Sequence, residues 1–225
     1  MSTFAAAWLV FRKDVSIEAR SGEILITSGF FALLVAVMTS LSFYMDDATA
    51  RRVAPGVLWI SIAFSGVLAM GRSFQRERDH DVMRGLLLSP LPRAGIFIGK
   101  MLGISAFLFA VEAVLLPAVA VLYHLDLFAV GAQVAAVVAL GTVGFAAAGT
   151  LFAAMGVRTR AKELVLSVVL FPLTAPALLA GVVACRDLLG GASLAEVADW
   201  LRLLLAFDLV FLVGGSLLFG PLTSE

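Results

Sequence analysis

Hydrophobic positions along this chain run in long blocks, not in the alternation of a half-buried strand or the three-and-four spacing of a surface helix. Six stretches, 24–44, 53–71, 101–123, 127–157, 164–185 and 203–222, are almost free of charge. A helix needs about 20 predominantly apolar residues to cross a hydrocarbon core of about 30 Å, so each stretch predicts a transmembrane helix. The third contains one acid, Glu112, and the sixth one acid, Asp208; the others contain no charged residue. The fourth is 31 residues long, more than a straight crossing needs, and is expected to tilt or to run past the bilayer.

Two shorter segments carry helical patterns of their own. In residues 1–20, Phe4, Trp8, Phe11 and Val15 fall on one stripe at 100° per residue, with Lys13, Ser16 and Arg20 opposite. That amphipathic arrangement predicts a helix lying in the membrane interface, since a spanning helix would bring Arg12 and Lys13 near the bilayer centre. Between the last two stretches, Ser193 and Glu196 have the spacing of a capping box. Leu194, Val197, Ala198 and Leu201 share a helical face beyond it, which predicts a short amphipathic helix near Trp200.

Composition agrees with the block pattern. Of 225 residues, 61% are hydrophobic and 14% charged, and the mean hydropathy is +1.05. A soluble domain carries about a quarter charged residues, and a chain of this length cannot hide so much apolar surface in a water-soluble core. The expectation is an all-α integral membrane protein with one membrane domain, residues 1–225, and no internal repeat.

Net charge is zero, so only the placement of charge is informative. Arg12, Lys13 and Arg20, then Arg72, Arg76, Arg78, Arg84, Arg93 and Lys100, then Arg158, Arg160 and Lys162 fall on one side of a six-span topology. Only Arg51, Arg52, Arg186 and Arg202 fall on the other. Twelve basic residues against four predict both termini and the long second loop on the cytoplasmic side. The basic residues follow the apolar opening instead of preceding it, so no cleavable signal peptide is expected. The single cysteine, Cys185, excludes an internal disulfide and any paired-cysteine motif, and reads as a small buried apolar residue.

The longest polar segment runs over residues 72–93. Its middle, Val82 to Leu88, predicts a short helix stopped by Pro90 and Pro92. A charged helix parallel to the membrane suits docking of a soluble partner; a solvated connector against lipid headgroups is the plainer reading. The run Gly95-Ile-Phe-Ile-Gly99-Lys100-Met101 superficially resembles a phosphate-binding loop. It has three intervening residues where four are needed, and Met101 where a magnesium-binding hydroxyl belongs.

His80 and His124 are the only histidines, and the topology puts them at opposite faces, so they cannot share one haem iron. No Cys-x-x-Cys-His site for covalent haem is present. Glu112 and Asp208 are costly within a membrane and are expected to face protein or water. Each is read either as a polar element of a translocation path or as an interhelical hydrogen bond. Pro172 and Pro176 interrupt the fifth span, and Gly144 with Ala148 and Gly149 with Ala153 offer small faces for close helix contact. No nucleophile–base pair and no metal cluster is evident, so no enzyme activity is expected.

The segment carrying Glu77, Leu87, Leu88, Ser89, Pro90, Arg93, Gly99 and Lys100 resembles the cytoplasmic coupling region of ABC exporter permeases. Further segments resemble one family, CcmB, the haem exporter protein B of cytochrome c maturation. They are Ala54-Pro-Gly-Val-Leu-Trp59, Gly71-Arg-Ser-Phe74, Val111-Glu112 with Leu115-Leu116-Pro117, and Trp200-Leu-Arg-Leu-Leu-Leu-Ala-Phe-Asp208. The resemblance covers nearly the whole chain. It departs at Glu77-Arg-Asp-His-Asp-Val-Met-Arg84, where related permeases often read Glu-Arg-Glu-x-Gly-Thr-Leu-Glu.

The resemblance implies an ABC exporter permease fold with six spans and an N-terminal interfacial helix, in a bacterial inner membrane. It implies an ATPase-coupling surface at Arg76, Glu77, Arg78, Met83, Leu87, Ser89, Pro90 and Arg93. ATP would be bound by a separate ABC ATPase subunit. Other implied partners are a haem-handling membrane subunit, a small one-span subunit and a periplasmic haem chaperone, with haem as cargo and no nucleic acid. Two alternatives stay open: an ABC permease for a lipid or drug, and a proton-coupled secondary transporter using Glu112 and Asp208.

Overall fold

The computed structural model describes residues 2–42, 46–79, 82–156 and 162–224. Among them the regular structure is entirely helical. The elements are α1 (Thr3–Ser21), α2 (Glu23–Ser42), α3 (Asp47–Asp79), α4 (Val82–Leu88), α5 (Arg93–Leu122), α6 (Leu127–Gly156), α7 (Lys162–Leu189) and α8 (Ala198–Ser224). Six of them are long and apolar enough to cross a membrane: Glu23–Ser42, Ala48–Glu77, Arg93–Leu122, Phe128–Met155, Val168–Leu189 and Ala198–Thr223. The expected all-α membrane architecture is present.

Successive long helices alternate in direction. The Tyr123 hydroxyl donates to the Ala36 carbonyl and Ser40 approaches the Leu122 carbonyl, which joins the ends of α2 and α5 at one face. At the other face the Arg93 side chain lies beside Gly220, near the end of α8. That second face also carries α4 and is called the α4 face below.

Several helices extend beyond the charge-free stretches. α3 continues to Asp79, past the expected end at 71, because Arg72, Arg76 and Glu77 find ionic partners on neighbouring helices. α5 starts at Arg93, so Lys100 lies inside a helix. At the opposite face the Ser193–Glu196 cap forms, with the Ser193 amide and hydroxyl donating to Glu196 Oε2 at 2.7 and 2.8 Å. It does not open a separate helix as expected. The capped turn feeds directly into α8, whose first turn contains Trp200 and Leu201. α7 remains one helix across Pro172 and Pro176.

The bundle is held by large side chains set into glycine notches. The Trp59 indole of α3 occupies the space where Gly141 of α6 and Gly181 of α7 would carry a Cβ. Phe145 fills the notch at Gly66, Met70 that at Gly149, and Phe97 that at Gly215. Hydrocarbon offers no hydrophobic driving force between helices, so such close contact is how van der Waals packing is gained. The sequence-predicted small face of α6 is used in this way: Gly144 meets Phe207 and Asp208, Gly149 meets Met70, and Ala148 and Ala153 are buried. Cys185 is buried in the same cluster as Trp59. Outward faces of α2 and α8 are apolar and exposed, the surface that lipid tails cover.

Candidate functional site: an ionic hub at the α4 face

The N-terminal helix explains how the hub is built. Ser2 caps α1 by accepting from the Ala5 amide, and Gly22 ends it in a left-handed conformation (φ 62°) that a side chain would strain. The side of α1 packed into the protein is formed by Ala6, Ala7, Val10, Asp14 and Glu18, not by the aromatic stripe. Phe4 and Trp8 point away and are exposed.

Opposite lies a run of glycines every four residues on α5. A Cβ on Gly95 would sit 2.7 Å from Ala6 Cβ, one on Gly99 2.6 Å from the Ala7 carbonyl, and one on Gly103 3.4 Å from Asp14 Cβ. The contacts advance in the same direction on both helices. α1 therefore runs parallel to the first turns of α5 at near-backbone contact. The stretch resembling a phosphate loop is thus a helix-packing seam.

That seam delivers charge into the protein. Lys100, 1% exposed, follows Gly99 directly; its ammonium lies 2.8 Å from Asp14 Oδ2, pairs with Glu77 Oε1, and sits over the Phe74 ring. Lys13 reaches across to donate to the same Glu77 oxygen at 2.7 Å and lies 2.9 Å from Asp14 Oδ1. Two ammonium and two carboxylate groups thus tie α1, α3 and α5 together. Burial works to lower the Lys13 pKa, but the facing Glu77 and Asp14 carboxylates outweigh it and hold the pKa above its ordinary value.

A second group extends the first. Arg76 spans Glu18 at 3.4 Å and Glu23 at 3.3 Å, and Arg72 meets Glu23 at 3.0 Å. Glu18 also accepts from the Leu25 amide at 2.9 Å, satisfying a free N–H at the start of α2.

The sequence-predicted coupling residues separate into three groups. Arg76 and Glu77 lie on the last turns of α3 and face inward; Glu77 is only 4% exposed. The side chains of Arg78, Met83 and Leu87 fall outside the described residues. Ser89, Pro90 and Arg93 follow the short helix, which spans Val82–Leu88 as expected. The Ser89 hydroxyl donates back to the Leu86 carbonyl, Pro90 is exposed, and Arg93 is half-buried at the start of α5. Leu86 packs into the bundle, whereas Gly85 and Leu88 (80% exposed) face outward.

The intramembrane acids have different partners. Thr142 of α6 donates to Glu112 Oε1 at 2.5 Å. Asp208 lodges against Gly144 of α6, and its buried Oδ1 has no hydrogen-bond partner. Of the histidines, His80 lies outside the described residues. His124 occupies the turn after α5 with φ 50°, where the Leu125 amide closes onto the Ala120 carbonyl.

Sequence reasoning missed Lys13, Asp14, Glu18 and Lys100 as a group. The signal was present in two spacings: Gly95, Gly99 and Gly103 on one helix, and Ala6, Val10, Asp14 and Glu18 on another. Two four-residue periods of this kind describe two helices that approach closely and bring carboxylates against Lys100.

Among the described residues, eight helices, six of them long and apolar enough to span, with a short helix and a buried ionic cluster at one face, make a polytopic membrane protein of the permease type. The family described as CcmB protein matches residues 5–219. Heme exporter protein B of Bradyrhizobium diazoefficiens is 27% identical over 184 residues, covering 81% of this chain and 82% of its own. That of Paracoccus denitrificans is 29% identical, covering 80% and 82%, and that of Haemophilus influenzae 25% identical, covering 76% of each. The chain belongs to the CcmB family.

Proposed function

We propose that the chain is the membrane permease subunit of an ATP-driven assembly that handles haem for cytochrome c maturation. Family membership and relatives named heme exporter protein B support the haem assignment. The observation that carries the mechanical part is the junction of α3, α4 and α5. α4 presents Gly85 and Leu88 outward, and the helices on both sides of it are cross-linked through Glu77 and Lys100.

A separate ATPase subunit docks on α4, Pro90 and the neighbouring Ser89 and Arg93 at the cytoplasmic side. Closure of that subunit displaces α4, and because Glu77 and Lys100 are paired, α3 and α5 move with it. Glu77 serves as a brace behind the docking surface, not as a contact. The placement of basic residues supports a cytoplasmic α4 face with both termini on that side. Haem handling by a further membrane subunit, a one-span subunit and a periplasmic chaperone completes the assembly.

A proton-coupled reading would need Glu112 and Asp208 along one path. Their contacts on α6, Thr142 and Gly144, are two residues apart and so point about 200° apart around that helix. A photocrosslinker at Leu88 in native membranes should capture an ATP-binding subunit. Capture from Phe4 on α1 but none from Leu88 places the docking surface elsewhere.

A further inference from the structure

Beneath the start of α2, in the groove between α1 and α3, lies a cavity of about 220 Å³. Its polar wall is made by Lys13, Asp14, Arg76 and Glu77. Two cations face two anions, so a ligand of strong net charge gains nothing there. Glu77 spends one oxygen on Lys13 and Lys100. Its other oxygen, Oε2, is buried and has no hydrogen-bond partner. A desolvated carboxylate oxygen with no donor is costly, and the group that satisfies it must bring an N–H or O–H. Arg76 holds Glu18, Ser21 and Glu23 at 3.3–3.4 Å, the outer range for such bonds, so its guanidinium can turn toward an anion in the cavity.

Apart from Ser73, the remaining wall is apolar: Ile17, Ile24, Val82 and Phe107. Ile17 is itself exposed on the amphipathic helix α1 and carries this apolar wall out to the surface, beside a helix, α2, long and apolar enough to cross a membrane. The site therefore offers a donor-hungry acceptor, an anion-binding rim, no net charge and an apolar exit onto a lipid-covered surface. Free phosphate lacks the cation and the tail, and phosphatidylglycerol, although its hydroxyls can donate, brings a net negative charge to a site whose own charges already balance.

We propose that this cavity binds the headgroup of one aminophospholipid from the leaflet at the α4 face, its ammonium donating to Glu77 Oε2 and its phosphate against Arg76 and Lys13. Its acyl chains leave past Ile17. Val82, the first residue of α4, also borders the cavity, so the lipid fills the space beside the short helix.

Native mass spectrometry of the full-length purified chain tests this with phosphatidylethanolamine, phosphatidylcholine and phosphatidylglycerol of identical acyl chains, and with glycerophosphoethanolamine. Phosphatidylcholine has the same charge but no N–H, so phosphatidylethanolamine should be retained about tenfold better, as a charge-assisted hydrogen bond requires. Glu77→Gln should erase that preference. Ile17→Trp, which blocks the cavity without touching an ionic group, should abolish retention even if the Gln variant cannot be purified. Equal retention of the two zwitterionic lipids, or preference for phosphatidylglycerol, overturns the proposal. So does undiminished retention by Ile17→Trp, or competition by glycerophosphoethanolamine as strong as by the intact lipid.

Discussion

The two halves of this bundle are held together by opposite means. Around Trp59 the helices meet through an indole set into Gly141 and Gly181, with no charge involved. At the α4 face they meet through Lys13, Asp14, Glu77 and Lys100, braced by Arg76, Glu18 and Glu23. Shape complementarity fixes one arrangement and resists every displacement equally. At the α4 face the close packing of α1 on Gly95 and Gly99 is joined by ion pairs, whose partners can be exchanged at a similar distance, whereas the Trp59 notches allow one arrangement only.

The largest effect should come from removing one charge of the hub. Lys100→Met leaves Asp14 and Glu77 sharing only Lys13, and loss of one member of a buried pair costs about 3–5 kcal/mol. Thermal melts in detergent should show it, and adding Glu77→Gln should recover part of the loss. A silent Lys100→Met would mean that packing at the Gly95–Gly99–Gly103 seam suffices and the two halves do not differ.

Next in size is a change in the other half. Gly181→Val drives a side chain into the Trp59 indole, and overpacking of this kind costs about 1–3 kcal/mol. Trp59→Leu in the same chain should restore much of it. If the double variant is no better, the notch is not the site of strain.

Glu112 lies between these extremes. Glu112→Gln keeps an acceptor for Thr142 and should change stability by less than about 0.5 kcal/mol, whereas Glu112→Ala should lose about 0.6–2 kcal/mol. A Gln variant that assembles normally yet yields no holocytochrome c would instead assign the acid's charge a part in transport.

The smallest effect is a pH dependence at the far face. Glu196 is held below its ordinary pKa by the Ser193 amide first and the Ser193 hydroxyl second. The capped turn is therefore fully stabilised above pH 4.5, and that contribution fades as the pH falls through the lower folded value. The protection factor of the Val197 amide should fall in that acid range, and Glu196→Gln should flatten the response.

Much of the fold was legible because a membrane span has a strong, local signature. All six spans and the bounds of α4 follow from charge-free length and from Pro90 and Pro92. Helix ends were less legible. α3 runs on through Arg72, Arg76 and Glu77 because those charges are paired by residues far away in sequence, and no local window contains Lys13 or Lys100. The same non-locality hid the hub. It also hid the burial of Glu77, expected at a coupling surface. α1 shows the opposite error of emphasis: its aromatic stripe is conspicuous, yet the small and acidic side determines how it packs.

The partnership of α1 with α5 has a consequence for how the protein is made. Asp14 leaves the ribosome 86 residues before Lys100. At about 5–20 residues per second that is a wait of roughly 4–17 s. During that interval α2 and α3 can enter the bilayer, but α1 has no seam to lie on and Asp14 has only its neighbour Lys13 without Lys100. Helix α1 is thus made well before the helix on which it docks. A chain that stalls before α5 lacks the seam and leaves Glu77 paired with Lys13 without Lys100.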